Sequence, residues 1–325
     1  ILRLLDVYDQ VIGVLHPILC VEKLKLQATA FWQRLKRGDA ADNSLPSVDD
    51  IDHLKMVMAI ALLAEGGGHH DSAISLYESI ETSVIQKLLG TKFHLKDQIL
   101  LLLVGTYHLF HEDYRMASRI IALAVRLIME AGLHRRQILM QRFPNPGERK
   151  QVVVALYTTI VLDRQLCFAA GLPYILKDAD VDLPSFDGGP YLQAMSSYIR
   201  VGAQLWESVL DSRGKVKTAF KDDDFDFMEF QIQRWQQALP EELRPELVAA
   251  SLQRNRPKAV SDINTFSTRI LLYLRANQIR IMVHRPILFS IQTASAHQPR
   301  IESLINIARD QIDKLVQVDR MSDVY

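Results

Sequence analysis

The chain has 325 residues, 48% of them hydrophobic, which is enough material for one large core or for two packed halves. Its 38 basic residues balance its 38 acidic residues, whereas a module that holds nucleic-acid phosphates usually carries a basic excess. The two cysteines, Cys20 and Cys167, exclude a disulfide scaffold and a self-contained zinc cluster, and they fit a reducing, intracellular compartment.

The predicted elements are helices. Apolar residues recur with helical spacing, strand-like alternation is scarce, and glycine and proline fall mostly between the periodic segments. This pattern indicates an all-α fold of about ten or more helices, arranged as helix pairs in a bundle or solenoid, in one domain over residues 1–325. In chain order the helical segments are 1–16, 21–37, 53–65, 70–89, 94–113, 115–132, 149–170, 191–213, 221–243, 262–285 and 298–318.

Local signals set several ends of these helices. His16-Pro17 should end the first helix, because the residue before a proline leaves the helical region. Asp49 or Asp50 is the expected N-cap of the third helix, and glycines 66–68 are its expected end. The apolar runs 99–104 and 152–162 are shorter than the ~20 residues that span a bilayer, so no membrane segment is expected.

The helix 149–170 is apolar on nearly every side until Asp163 and Arg164. Such a helix is normally a central one, and a carboxylate on its surface is costly unless it is paired and hydrogen-bonded. We therefore expect Asp163 to be structural, accepting from backbone groups or from a cation, with Arg126 and Arg135 as candidate partners. On that interpretation Asp163→Ala costs ~3–5 kcal/mol; the alternative is that Asp163 serves a site.

No catalytic or metal-binding pattern emerges, and we predict that the chain is not an enzyme. It has no phosphate-binding glycine loop, no G-x-S-x-G elbow and no H-E-x-x-H pair. His108 and His111 could share a metal, but a site needs three or four ligands, so two partly exposed histidines are the favoured interpretation. The run "DADVD" at 178–182 resembles half of a calcium loop but lacks the later Gly and Glu, which favours a solvated loop.

The acidic run 222–226 opens the segment "DDDFDFMEF". Its aspartates are expected near the positive end of a helix dipole, as a capped and solvated helix start and not as a partner-binding tail. Phe227 and Phe230 are predicted to be core residues, as are Met129, Met140 and Met228, and the alternative is that they line a pocket.

Five blocks, taken in order from residue 7 to residue 288, resemble the middle homology region of fungal transcription factors that carry a six-cysteine binuclear zinc cluster. They are "VYDQVIGVLHPIL", "DQILLLLVGTYHLF" with "ASRIIALAVRLIMEAGLHRR", "ERKQVVVALYTTIVLDRQLCFAAGLPYILKDADVDLP", "FQIQRWQQALPEEL" and "YLRANQIRIMVHRPIL". The family-motif positions, which we expect to be structural, are Arg126, Gly132, His134, Arg135, Asp163, Arg164, Gly171, Pro173, Trp235, Arg285 and Pro286.

The resemblance implies an all-helical regulatory domain of a nuclear protein that controls RNA polymerase II transcription in response to a small-molecule effector or a regulatory protein. Zinc and DNA contacts would belong to a cluster domain absent from this chain. An effector pocket would be mostly apolar and lined from 99–111, 152–168 and 270–289, although its residues are not identified by the sequence. The alternative is a helical interaction and dimerisation scaffold, with an exposed apolar patch and no small-molecule sensing.

Overall fold

The computed structural model describes residues 1–37, 47–90, 92–170, 172–209, 222–253, 260–289, 294–295 and 297–321. Within those ranges the protein is all-α and forms no strand, which confirms the predicted fold class. The chain divides into two compact units, Ile1–Gln193 and Ala194–Val324. One regulatory domain spanning 1–325 stays a prediction.

The first unit contains nine described helices. They are α1 (Leu2–Tyr8), α2 (Val21–Arg37), α3 (Val48–Glu65), α4 (Asp71–Glu78), α5 (Glu81–Leu88), α6 (Leu95–Phe110), α7 (Tyr114–Glu130), α8 (Arg136–Arg142) and α9 (Pro146–Ala170). Three differences from the sequence prediction appear. A π-helical turn, Asp9–Gly13, follows α1; the segment 70–89 divides into α4 and α5; and α8 was not predicted.

The start of α3 differs from the prediction in its capping residue. Ser47 is the N-cap, and its side chain accepts a hydrogen bond from the Asp50 N–H. Asp49 and Asp50 instead lie in the first turn, where carboxylates favour the helix dipole. The predicted end is confirmed, because Gly66 caps the helix.

The pair α6 and α7 packs closely at Gly105. A Cβ atom at that position would lie 2.5 Å from Cδ1 of Ile121, so a larger residue would require the Ile121 side chain to move. Helix α7 ends at Gly132, which has φ +70°. The Gly132 N–H donates to the Met129 carbonyl and the Leu133 N–H to the Ile128 carbonyl, which together form a Schellman motif.

Helix α9 is the central helix of the first unit, as its composition predicts. Every residue from Val152 to Arg164 is buried. By length and composition α9 could cross a membrane, but 83% of its most apolar window is buried within the fold. The burial is that of a core helix.

The second unit contains the remaining helices. They are α10 (Gly189–Val209), in which the boundary between the units falls, α11 (Asp222–Gln237), α12 (Val248–Gln253), α13 (Val260–His284) and α14 (Gln298–Met321). Short 3-10 turns occupy Glu241–Leu243, Pro245–Leu247 and Arg285–Phe289. Part of its core is formed by buried residues of α12 and α13, namely Val248, Leu252, Phe266, Ile270 and Tyr273.

We expect Gly132→Ala to lower the free energy of unfolding by more than Gly67→Ala. Both glycines have positive φ, where an L-residue costs ~1–2 kcal/mol. At Gly132 the new Cβ would also lie 2.7 Å from Cδ1 of Ile138, whereas at Gly67 nothing lies within 4 Å. Urea unfolding followed by circular dichroism measures both variants, and equal losses would show that the Ile138 contact has no weight.

Candidate functional site

A cavity of about 670 Å³ lies within the first unit, a volume typical of small-molecule sites. Its walls come from α2, α3, α6 and α9, and from the segments that precede α2 and α10, including the first residue of α10. The lining residues are Gly13, Val14, Pro17, Ile18, Leu19, Cys20, Lys23, Leu24, Gln27, Asp50, His53, Leu95, Lys96, Ile99, Gly147, Lys150, Gln151, Val154, Asp187, Gly188 and Gly189.

The break at His16-Pro17 shapes one wall of the cavity. The His16 N–H donates to the Ile12 carbonyl at 2.7 Å, and the His16 ring meets the Tyr191 ring edge-on with centroids 5.8 Å apart. Because Pro17 cannot continue the helical hydrogen bonding, residues 17–20 run along the cavity instead. Gln151 of α9 fixes this run, since its Nε2 donates to the Ile18 carbonyl at 3.4 Å.

His53 supplies a polar group to the largely apolar lining. Its Nε2 lies 2.8 Å from the Lys96 carbonyl oxygen, and because a carbonyl can only accept, Nε2 carries the proton. Burial lowers the pKa of His53, which favours the neutral ring. A neutral ring with a protonated Nε2 leaves Nδ1 as a hydrogen-bond acceptor.

The charged lining residues are mostly paired. Lys96 bonds Asp50 at 2.9 Å, and Lys150 bonds Asp187 at 3.0 Å. With Lys23, three lysines stand against two aspartates, so the lining carries one net positive charge. No nucleophile, base and orienting group are grouped in the lining.

Arg164 holds the segment after α9 at alternate residues. Its side chain is fully buried, and Nη1 lies 2.8 Å from Oδ1 of Asp178. Nη2 donates to the Leu176 carbonyl at 3.0 Å, and the guanidinium lies 4.6 Å from the centroid of the Tyr174 ring. The chain bends at Ile175 and Leu176 and then enters the 3-10 turn Asp178–Asp180, so a single side chain contacts three points of this segment.

Asp163 is buried beside the same segment, and of the two kinds of partner predicted, a cation or a backbone group, the backbone group is present. It is 4% exposed and accepts a hydrogen bond from the Ile175 N–H. The Cys167 Sγ lies 3.9 Å from its Oδ1, and burial raises the pKa of this thiol to about 12, so the thiol remains a donor. Burial also raises the pKa of Asp163, to about 6, despite the Ile175 hydrogen bond and the nearby Arg164 charge.

The two cations proposed as partners of Asp163 lie elsewhere. Arg126 is exposed and pairs with Glu130 at 3.1 Å. Arg135 is exposed, and its backbone forms an isolated parallel bridge with Asp182. The expectation of a buried ion pair with either arginine was therefore wrong, because a backbone N–H satisfies this carboxylate. The expected destabilisation by Asp163→Ala therefore falls from ~3–5 kcal/mol to ~1–3 kcal/mol, which is the cost of leaving one buried donor unsatisfied.

The same segment is held again closer to the cavity. The Asp182 N–H donates to the His134 carbonyl at 2.9 Å, and the Tyr157 hydroxyl donates to the Pro184 carbonyl at 3.4 Å. The Phe186 ring stacks on Tyr157 with centroids 3.9 Å apart. Residues 187–189, which follow directly, line the cavity.

The remaining family-motif residues are spread over the fold. Pro173 contributes a carbonyl 3.7 Å from the Cys167 sulfur, whereas Gly171 lies outside the described residues. In the second unit, Trp235 is buried and its Nε1 donates to the Ala194 carbonyl at 3.1 Å. Arg285 is exposed and opens the 3-10 turn Arg285–Phe289, which also contains Pro286.

The predicted pocket ranges missed most of the cavity. Of the described lining residues, only Ile99 and Val154 fall within 99–111 or 152–168, and none falls within 270–289. Two signals in the sequence could have indicated the cavity. The first is His16-Pro17, where the helix breaks and the chain bends at the cavity wall. The second is the pair Gly188-Gly189, which places residues without side chains at that wall.

A zinc cluster does not fit the described residues. Among them no group of three or more His, Cys, Asp or Glu side chains is arranged to hold a metal. Cys20 is exposed and Cys167 is buried beside Asp163. His108, predicted to be partly exposed, is buried and meets the Tyr77 ring edge-on at 5.0 Å.

Comparison with family models gives one match. The model described as "Fungal specific transcription factor domain" matches residues 94–208, a range that contains α6 to α9 and the segment bound by Arg164. No curated protein and no solved structure gave a match. Over residues 94–208 the chain is therefore similar to a fungal specific transcription factor domain, and the resemblance to the middle homology region is confirmed there.

We expect the stability advantage of Asp163→Asn over the native chain to grow as pH rises from about 4 to about 7. The folded pKa of Asp163, about 6, lies above the unfolded value of 3.8. The folded state therefore binds this proton more tightly, and its free energy of unfolding falls as the carboxyl ionises. The relative gain is up to ~3 kcal/mol.

Urea unfolding at several pH values measures this difference. Asp180→Asn is the matched control, because it removes one carboxylate at an exposed residue of the same segment. Parallel pH curves for the native chain and Asp163→Asn would contradict the raised pKa.

Proposed function

We propose that this chain is the effector-responsive regulatory domain of a fungal zinc cluster transcription factor. The match over residues 94–208 supports the regulatory assignment. The cavity of the first unit supports the finer assignment, because its volume and mixed lining suit a small organic molecule. That cavity is the single observation that carries effector sensing.

The lining indicates the chemistry of such a molecule. Leu24, Leu95 and Val154 offer an apolar surface, whereas a neutral His53 offers an acceptor. The net positive charge favours an apolar body that bears a carboxylate or another anionic group. Binding would restrain residues 187–189 and, through them, the segment fixed by Arg164 and Tyr157.

The wider assignment follows from the family. We propose a nuclear location and a role in RNA polymerase II transcription, with DNA bound through a zinc cluster domain that these 325 residues do not contain. Two cysteines cannot supply that cluster. The family is a regulatory one, which supports a role other than catalysis.

We expect native mass spectrometry of the purified chain to show an extra mass of a few hundred daltons that denaturation removes, and the identified molecule should raise Tm, since it binds the folded state. Leu19→Trp, which fills the cavity, should abolish both effects while leaving the helical spectrum unchanged. Leu123→Trp, on an exposed position of α7, is the control. Retention of the ligand by Leu19→Trp would contradict the assignment to this cavity.

One observation favours the alternative, a dimerisation scaffold. Helix α14 exposes four large apolar side chains over about three turns: Ile305, Ile312, Leu315 and Val316. A run of this kind is typical of interaction surfaces. On this alternative the chain regulates through contacts between helices and senses no small molecule.

If α14 mediates dimerisation, light scattering coupled to size exclusion should give twice the chain mass, and Ile312→Glu should restore the mass of a single chain. A carboxylate in an apolar interface is strongly unfavourable. Ile85→Glu, at an exposed position of α5, is the matched control. A native chain that runs as a monomer at all concentrations would remove the alternative.

A further inference from the structure

Helix α11 has one buried face and one exposed face. Phe225, Met228, Ile232 and Trp235 are buried, and the Trp235 indole is hydrogen-bonded to the Ala194 carbonyl. These residues explain how the helix is fixed in the second unit. The opposite face is exposed.

Phe227 and Phe230 lie in the middle of that exposed face, and each is 57% exposed. The prediction that both belong to the core was therefore wrong. Residues three apart on a helix are neighbours, so the two rings form one apolar surface, with Asp223 before it and Arg234 after it on the same face. Single exposed apolar residues are common, but adjacent aromatic ones are the usual anchors of interfaces.

Stability of the helix does not account for the two phenylalanines. The aspartates at the start of α11 have a structural explanation, because negative charge favours the positive end of the helix dipole. Phenylalanine is not a strong helix former, and at an exposed position it gains no burial. The outward position of both rings is therefore not explained by the stability of the helix.

Negatively charged side chains lie on one side of this aromatic pair. Asp223, Asp224 and Asp226 are all exposed. Arg300 neutralises part of this charge by pairing with Asp226 at 2.8 Å, although the Asp226 side chain remains 70% exposed. Glu229 pairs with Arg280 at 2.7 Å and adds little to the exposed charge.

We propose that this α11 face, formed by Asp223, Asp226, Phe227 and Phe230, docks into an apolar groove rimmed by lysine or arginine on a partner protein. The two rings would enter the groove, as in other cases where one face of a helix fills an apolar groove. The aspartates would pair with the basic rim and speed association at low salt. This surface lies in the second unit and does not depend on the ligand cavity.

The test uses a defined probe of that chemistry: a fluorescently labelled, designed pair of antiparallel helices that forms a leucine-lined groove rimmed by lysine. We expect fluorescence anisotropy to show saturable binding to the native chain. Phe227→Ala with Phe230→Ala should weaken it at least tenfold. Asp223→Asn with Asp226→Asn should weaken it and reduce its dependence on salt.

Controls separate this face from general stickiness. Tyr114→Ala and Leu123→Ala remove exposed apolar residues of α7 and should leave the affinity unchanged. The same helix pair with glutamate in place of each lysine should not bind. Unchanged affinity in the double phenylalanine variant would overturn the proposal, as would a native dimer that this variant dissociates, because a second copy would then occupy the face.

Discussion

Arg164 places a fully buried guanidinium at the end of an apolar helix, and the arrangement of the following segment depends on it. A buried cation is costly unless charge and hydrogen bonds satisfy it. Asp178 supplies the charge, the Leu176 carbonyl accepts a hydrogen bond, and Tyr174 offers its ring face. The segment is therefore held along α9 instead of extending into solvent.

This constraint extends from α9 toward the cavity of the first unit. Asp163 binds the Ile175 N–H, the His134 carbonyl binds the Asp182 N–H, and Phe186 stacks on Tyr157. The chain then reaches residues 187–189 at the cavity wall. In a regulatory domain, this continuity would let the occupant of a cavity change the order of a segment well beyond it.

The sequence predicted those features that depend on nearby residues. The apolar pattern of 149–170 predicted a central helix, and Gly66 marked a helix end, because both depend on local periodicity and backbone geometry. The partner of Asp163 and the exposure of Phe227 depend instead on how other segments of the chain pack against α9 and α11. Composition alone does not show that a backbone N–H reaches a carboxylate, or that both faces of α11 carry aromatic residues.

The cavity was the hardest feature to predict, since it is lined by segments far apart in sequence. Ile18, His53 and Gln151 meet there, although none belongs to a motif that indicates binding. The family motif indicated α9 and the segment that follows it. The cavity between the helices depends on how their side chains pack. Sequence periodicity identifies buried residues and does not show where packing is incomplete.

Hydrogen exchange of the segment 175–189, compared between the native chain and Arg164→Met, measures most directly whether Arg164 holds this segment. Methionine keeps much of the side-chain volume and removes the charge and its donors. We expect faster exchange at the amides of Ile175 and Asp182 and along 187–189, with α13 of the second unit unchanged. Native exchange across 175–189 in the variant would show that Arg164 does not hold this wall of the cavity.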